Sequence, residues 1–295
     1  LNLAEAYRIT GDESMRKSLD RMADVSWKQV NKERGNYGVM DSWEGGNDKI
    51  EKPFMMAQVI QGVKAYYELT GSERARDQIL GMVDFIISEG SLGKWGFNYV
   101  IFNDPQTNVV RVAAERKKLD DDPKAEAQKG VSYGHISWIM AWAYQHSGDE
   151  RFRKIIDELS SKAYPHTSWA CTQHYVERAD KAPPDAVKDL AAEALGNGKV
   201  KLSWSAPTGD PVQYQVKWAE RPIAERLSFP EEKDSKANWW SANQVAGEPR
   251  PGAAGTKETM TIEGLTPGKR VLAIRSFDAA SNRSGMSNPV ELDVK

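Results

Sequence analysis

The spacing of apolar residues changes once along this chain, at Pro183-Pro184, and a chain whose period changes cannot fold as one uniform layer. Before the prolines the spacing is helical. Met56, Val59, Ile60, Val63 and Tyr67 share a face, as do Ile79, Met82, Val83 and Ile86; the pattern returns in Ile136, Ile139, Met140, Ala143 and in Phe152, Ile155, Ile156, Leu159. After the prolines the period is two. KVKLSW puts Val200, Leu202 and Trp204 on one face, QYQVKW does so with Tyr214, Val216 and Trp218, and RVLAIRSFD with Leu272 and Ile274. The expected division is an all-α segment, residues 1–182, and an all-β segment, residues 183–295, with an insertion at about 224–255. Turn signals such as PTGD and LTPGK make the second segment an antiparallel sandwich.

In the helical segment a single phrase occurs three times, as YRITGDESMRKSL, YELTGSERARDQI and YQHSGDERFRKII. Each time a helix stops at a glycine (Gly11, Gly71, Gly148), where positive φ costs little, and a new helix starts at Asp12, Ser72 or Asp149. The glutamate that follows (Glu13, Glu73, Glu150) favours the positive end of the new helix. Each phrase therefore reads as the turn of an αα-hairpin, and long connections join the hairpins.

Charge and composition narrow the function. The 295 residues carry 40 basic and 42 acidic side chains, a net charge of -2, so no basic field points to nucleic acid. No apolar run reaches the roughly 20 residues that span a bilayer. The single cysteine, Cys171, excludes an internal disulfide framework. P-loop, dinucleotide, GxSxG and HExxH motifs are absent, and no cofactor is expected. The chain starts LNLAEAYRITGDE, already in helical period and without methionine, which suggests that an upstream segment precedes it.

VKLSW, YQVKW, EGLTPGK and AIRSFDAASNRSGMSN resemble a fibronectin type III domain, an immunoglobulin-like sandwich, with Trp204 as its core tryptophan. That resemblance implies a tyrosine corner, yet Arg270 or Val271 stands where the tyrosine belongs. The helical half resembles the (α/α) toroids of carbohydrate-active proteins, polysaccharide lyases such as exo-acting rhamnogalacturonan lyases among them. The repeated turns and the aromatic-rich segments DSWEGG and GKWGFNYV carry this likeness. Three hairpins are fewer than a closed ring holds, so the resemblance implies a toroid portion, either completed by an upstream segment or a partial ring, that binds a polysaccharide or oligosaccharide; its fusion to a fibronectin type III domain implies a secreted or cell-surface protein.

In such a ring the segments between hairpins surround the cleft. Residues 35–53, GNYGVMDSWEGGNDKIEKP, bring Asp41, Trp43, Glu44 and Asp48; the next connection brings Trp95, Phe97 and Tyr99. Indoles and phenols offer flat faces to sugar rings, and carboxylates accept hydrogen bonds or exchange protons. The same tryptophans could instead plug the ring. A glycosidase needs two carboxyl groups about 5 to 10 Å apart, which Asp41, Glu44 and Asp48 can supply in part. A lyase needs a base, a group that neutralises the uronate carboxylate, and an acid for the leaving oxygen. Tyr133 and His135 in GVSYGHISW are the candidates, with a backbone-bonding role the alternative for His135. Acids and His135 converging on a cleft would mean an enzyme; a cleft filled by its own aromatics would mean a glycan-binding or structural surface protein.

Three further segments have plainer readings. His166, Cys171 and His174 match no strong zinc spacing, so no metal is expected. RVAAERKKLDDDPKAEAQ reads as a solvated excursion or flap. Trp239-Trp240 reads as packing against a neighbouring domain.

Overall fold

The computed structural model describes residues 2–28, 50–93, 96–98, 100–102, 104–122, 133–160, 182–225 and 235–295. The chain divides into two compact units, Leu1–Gln145 with Asp149–Val176, and His146–Gly148 with Glu177–Lys295. The elements of the helical unit are α1 (Asn2–Thr10), α2 (Glu13–Lys28), β1 (Ile50–Glu51), α3 (Pro53–Thr70), α4 (Glu73–Gly90), β2 (Ile101–Phe102), α5 (Pro105–Asp121), α6 (Tyr133–Ser147) and α7 (Glu150–Ser160).

The three repeated phrases are hairpin turns. Gly11, Gly71 and Gly148 have φ of 66°, 67° and 66°, the left-handed region that glycine enters without a Cβ penalty. The Gly11 and Gly71 amides donate to the carbonyls of Tyr7 and Tyr67 at 2.8 and 2.7 Å. Each following residue caps the next helix: Asp12 accepts from the Ser14 amide at 2.8 Å, Ser72 from Ala75 at 3.4 Å, and Asp149 from Arg151 at 3.0 Å. The tyrosine and glutamate of the phrase also meet, which spacing alone does not reveal. The Tyr7 hydroxyl donates to Glu13 Oε1 and the Tyr144 hydroxyl to Glu150 Oε1, both at 3.2 Å. The phrase is thus a self-contained turn that any helical hairpin can use, whatever the array around it.

That removes one support of the toroid reading, and the packing of α4 removes the reading itself. A ring leaves its inward helices one face open to the cleft. Here every residue of α4 from Ala75 through Ile86 is buried, including Arg76, Asp77, Gln78 and Asp84. A helix covered on all sides has no face left to line an open cleft. The described fold is seven helices plus two antiparallel sandwich sheets, and the expected (α/α) toroid portion is not formed. Two of the buried polar side chains of α4 reach partners on other helices, which offsets part of the cost of burying them. Gln78 Nε2 donates to Ser26 Oγ at 2.6 Å, and Asp84 Oδ1 lies 2.8 Å from Arg151 Nη1. Burial opposes the charge on Arg151, but Asp84 and Asp149 outweigh it and raise its pKa above the usual value.

The second unit contains β3 (Ala191–Gly196), β4 (Lys199–Ser205), β5 (Gln213–Ala219), β6 (Ile223–Ala224), β7 (Ala237–Asn238), β8 (Asn243–Gln244), β9 (Lys257–Ile262), β10 (Gly268–Phe277) and β11 (Val290–Val294). A three-stranded sheet ordered β3-β4-β9 and a four-stranded sheet ordered β11-β10-β5-β8 are antiparallel throughout. This is the strand arrangement of an immunoglobulin-like sandwich. Val200, Leu202 and Trp204 from one sheet share a core with Tyr214, Val216, Leu272 and Ile274 from the other, and Trp218 packs against it partly buried. The prolines belong to this unit: Pro184 is buried, and the Asp185 amide donates to the Thr208 carbonyl at 3.0 Å. At Gly209, φ 85°, a Cβ would lie 2.8 Å from the Pro184 Cα, so glycine is required for that approach.

Arg270 explains the missing tyrosine. Its guanidinium donates to the carbonyls of Lys269 and Pro267 at 2.6 and 3.2 Å and to the Thr266 hydroxyl, and it stacks 5.0 Å from the centroid of Trp218. An arginine therefore ties down the turn that a tyrosine hydroxyl would otherwise hold. Arg270→Ala is expected to cost about 1.5–3 kcal/mol, the range for hydrogen bonds to a charged group, read from urea denaturation of the full chain. Wild-type stability in that variant would mean that the turn holds itself.

The insertion departs from expectation. Trp239 and Trp240 are 0 % and 4 % exposed, yet they fold back on their own sheet. Trp239 lies between Lys217 and Arg275, 5.3 and 4.7 Å from the ring centroid, and Arg283 stacks 4.6 Å from Trp240. Lys217 and Arg275 point away from the core, because Val216 and Ile274 beside them point into it. The insertion thus covers the face that a sandwich usually leaves to water. Lys217 and Arg275 are each 1 % exposed; Lys217 Nζ donates to the Trp239 carbonyl at 3.1 Å, and Arg275 pairs with Glu225 at 2.9 Å.

Candidate functional site

Two connections of the helical unit meet where β1 and β2 end them. β1 pairs with β2 in antiparallel register, Ile50 opposite Phe102 and Glu51 opposite Ile101. Helix starts fix both strands. Pro53 opens α3 directly after β1, where its missing amide proton is not needed. After β2, the Asp104 carboxylate caps α5 by accepting from the Thr107 amide at 2.7 Å, and Pro105 follows in the first turn.

Asn108 then locks three elements together. It is 1 % exposed; its Oδ1 accepts from the Phe102 amide at 2.9 Å, and its Nδ2 donates to the Glu89 carbonyl at 2.8 Å and to Glu89 Oε2 at 3.0 Å. The end of α4 approaches β2 so closely that a Cβ at Gly90 would lie 2.8 Å from Ile101 Cδ1. Beyond Gly90 the chain doubles back: the Leu92 amide donates to the Gly96 carbonyl and the Asn98 amide to the Gly90 carbonyl, both at 2.7 Å. Leu92 packs with Val112 and Leu119 of α5, and Arg116 Nη2 donates to the Ser91 carbonyl at 2.9 Å.

Most of the sequence-derived site falls outside this description. Asp41, Trp43, Glu44, Asp48, Trp95, Tyr99, His166, Cys171 and His174 lie outside the described residues. Tyr133 opens α6 and His135 is in its first turn, but their side chains are also outside them. Phe97 is described and is 1 % exposed, so it is a packing residue and not a sugar platform. The excursion expected from Arg111 onward is in its first half the helix α5, which the NDPQT sequence, an Asp cap followed by proline, could have signalled. Asn108, which no motif marks, was missed altogether. Among the described residues no group of three or more His, Cys, Asp or Glu could hold a metal ion, and no helix is long and apolar enough to cross a membrane.

No known protein family and no curated protein matches the chain. Solved structures similar to a portion of it include the fibronectin type III domain of human contactin 1, with 15% identity, TM-score 0.27, and coverage of 41% of this chain and 86% of that one. The Clostridium perfringens spore cortex lytic enzyme SleM matches with 21% identity and TM-score 0.24, over 38% of this chain and 28% of that one. A family 28 exopolygalacturonase of Yersinia enterocolitica matches with 16% identity and TM-score 0.23, over 38% of this chain and 20% of that one. These scores are too low to assign the fold, which rests on the strand order above.

Proposed function

We propose that the chain belongs to a secreted or cell-surface carbohydrate-active protein whose helical unit binds and cleaves an acidic or complex polysaccharide, by β-elimination in preference to hydrolysis. The observation that carries this reading is the pairing of β1 with β2. It joins the ends of two connections whose residue types suit sugars: Asp41, Trp43, Glu44 and Asp48 precede one strand, Trp95 and Tyr99 the other. Apolar faces and carboxylates together match the apolar ring and polar edge of a pyranose. In an elimination, His135 or Tyr133 takes the proton beside the uronate carboxylate, the bond to the leaving oxygen breaks, and an acid protonates that oxygen. The sandwich serves as an accessory module. This reading does not depend on a ring.

Binding and turnover of oligosaccharides by the full chain test it, with Trp43→Ala, Glu44→Gln and His135→Ala alongside. Trp43→Ala is expected to weaken binding, and the other two to lower turnover by about 100-fold or more, the usual share of a general acid or base, with melting unchanged. An unsaturated product absorbing in the ultraviolet marks elimination; a saturated product marks hydrolysis. Binding without turnover in the wild type would instead indicate a non-catalytic glycan-binding surface protein, and unaltered behaviour in all three variants would remove the site.

A further inference from the structure

We propose that the open edge of β9 is the docking site for β9 of a second copy of this chain, which joins two three-stranded sheets into one antiparallel six-stranded sheet. β9 is the outer strand of the order β3-β4-β9, and among the described residues no strand pairs with its far side. The Thr256 carbonyl accepts from the Ala206 amide, so the alternation of an antiparallel ladder turns the backbone N–H and C=O groups of Lys257, Thr259 and Thr261 toward that open side. An unpaired row of this kind is a template for another strand. The other edges are blunted: β3 carries a bulge between Ala194 and Gly196 and lies beside β11, and β8 is two residues long. β9 runs six residues in unbroken register, without proline.

The sequence of the strand selects its own copy as the partner. A two-fold axis through Met260 sets Thr259 opposite Thr261 of the second copy and Lys257 opposite Glu263 of the second copy. All four residues are exposed on the outward face of the sheet. Threonine pairs and opposite charges are among the cross-strand pairs that stabilise a sheet. An axis through Thr259 would instead set Lys257 opposite Thr261 and lose both charge pairs. Lys257 already meets Asp189 at 2.7 Å and Glu263 meets Lys199 at 2.7 Å, and all four side chains stay at least 43% exposed. Such isolated surface pairs contribute little by themselves, whereas networks contribute more. Docking extends them, at each end of the junction, into a row of alternating charge that runs from Asp189 through Lys257 of one copy to Glu263 and Lys199 of the other. The carbohydrate reading is not needed for this step.

Sedimentation velocity of the full chain over a rising concentration series tests the assignment. Wild type is expected to pass from monomer to dimer, and the amides of Lys257, Thr259 and Thr261 to exchange with deuterium more slowly as the dimer forms. Lys257→Glu or Glu263→Lys sets like charges opposite each other at both ends of the junction, and each should raise the dimer dissociation constant by about tenfold or more. An equimolar mixture of these two variants restores both charge pairs and should dimerise again, a recovery that a folding defect in either variant could not give. Lys201→Gln, on the outward face of β4 and away from the edge, should dimerise as wild type does. A wild type that stays monomeric throughout, an unchanged dimer in either charge variant, no recovery in the mixture, or edge amides indifferent to concentration would each overturn the proposal. The first of these is also the result expected if the edge serves a strand from a different protein.

Discussion

Trp204→Ala is expected to lower the stability of the β unit by about 3–5 kcal/mol, the usual cost of removing a buried aromatic side chain. Trp204 is 0 % exposed and meets Tyr214 edge-on, with ring centroids 5.2 Å apart and planes at 85°. The loss would be felt across both sheets, since Val200 and Leu202 on its own strand and Val216, Leu272 and Ile274 opposite close the same core. The tryptophan also covers a polar liability. Burial pushes the Tyr214 phenol well above its ordinary pKa, and the carboxylate of Glu258 adds to the shift. Neither the Tyr214 hydroxyl nor Trp204 Nε1 makes a hydrogen bond of good geometry, although each lies near the other. Opening this end of the core would admit water to those groups and offset a small fraction of the cost. Chemical denaturation with fluorescence detection measures the change; a shift under about 1 kcal/mol, far below the cavity range, would mean that the indole is not a core residue.

A comparable loss, about 3–5 kcal/mol, is expected for Trp239→Ala on the opposite face of the four-stranded sheet. Deleting that indole removes the aromatic face from two cations, Lys217 and Arg275, that are each 1 % exposed. Buried cations deprived of a partner are costly, whereas apolar residues of similar shape can replace them with little loss. Arg275→Met in the Trp239→Ala background should therefore recover some of the stability. If Trp239→Ala melts with the wild type, the insertion contributes no cover to the sheet. If Arg275→Met worsens the variant, the link from Arg275 to Glu225 at 2.9 Å matters more than the stacking.

The sandwich was legible in the sequence because its signal is local and strict: alternation alone puts Val200, Leu202, Trp204, Tyr214, Val216, Leu272 and Ile274 on core faces. The hairpin turns were legible for the same reason, since glycine at positive φ followed by a capping side chain leaves few alternatives. What failed was the step from hairpins to their arrangement. Turn chemistry closes within seven residues, from Tyr144 to Glu150, and says nothing about which helix becomes central. The charges on α4 even argued against burial there, because the partners of Gln78 and Asp84, Ser26 and Arg151, lie on distant helices. The two tryptophans of the insertion were misassigned through a similar gap. Period two shows which residues of β5 and β10 face outward, but not that the outward Lys217 and Arg275 would find an aromatic cover. Of the candidate site, the residue types of two connections were readable, and the β1–β2 pairing that joins them was not, being only two residues long on each side.

The Tyr–Glu bridge over the hairpin turns bears on the order in which the chain acquires structure during synthesis. A turn whose stabilising contacts all lie within a few residues can close as soon as it leaves the ribosome, so the helical hairpins can form early and independently. The sandwich cannot start so soon. Leu202 of β4 pairs with Met260 of β9, and Trp239 has to wait for Arg275 before both cations under its ring are in place. The nascent chain would therefore carry a folded helical segment ahead of an open β segment with four indoles, Trp204, Trp218, Trp239 and Trp240, and several cations still in water. The β segment is then the stage at which a chaperone or a slow translation step has the most to protect.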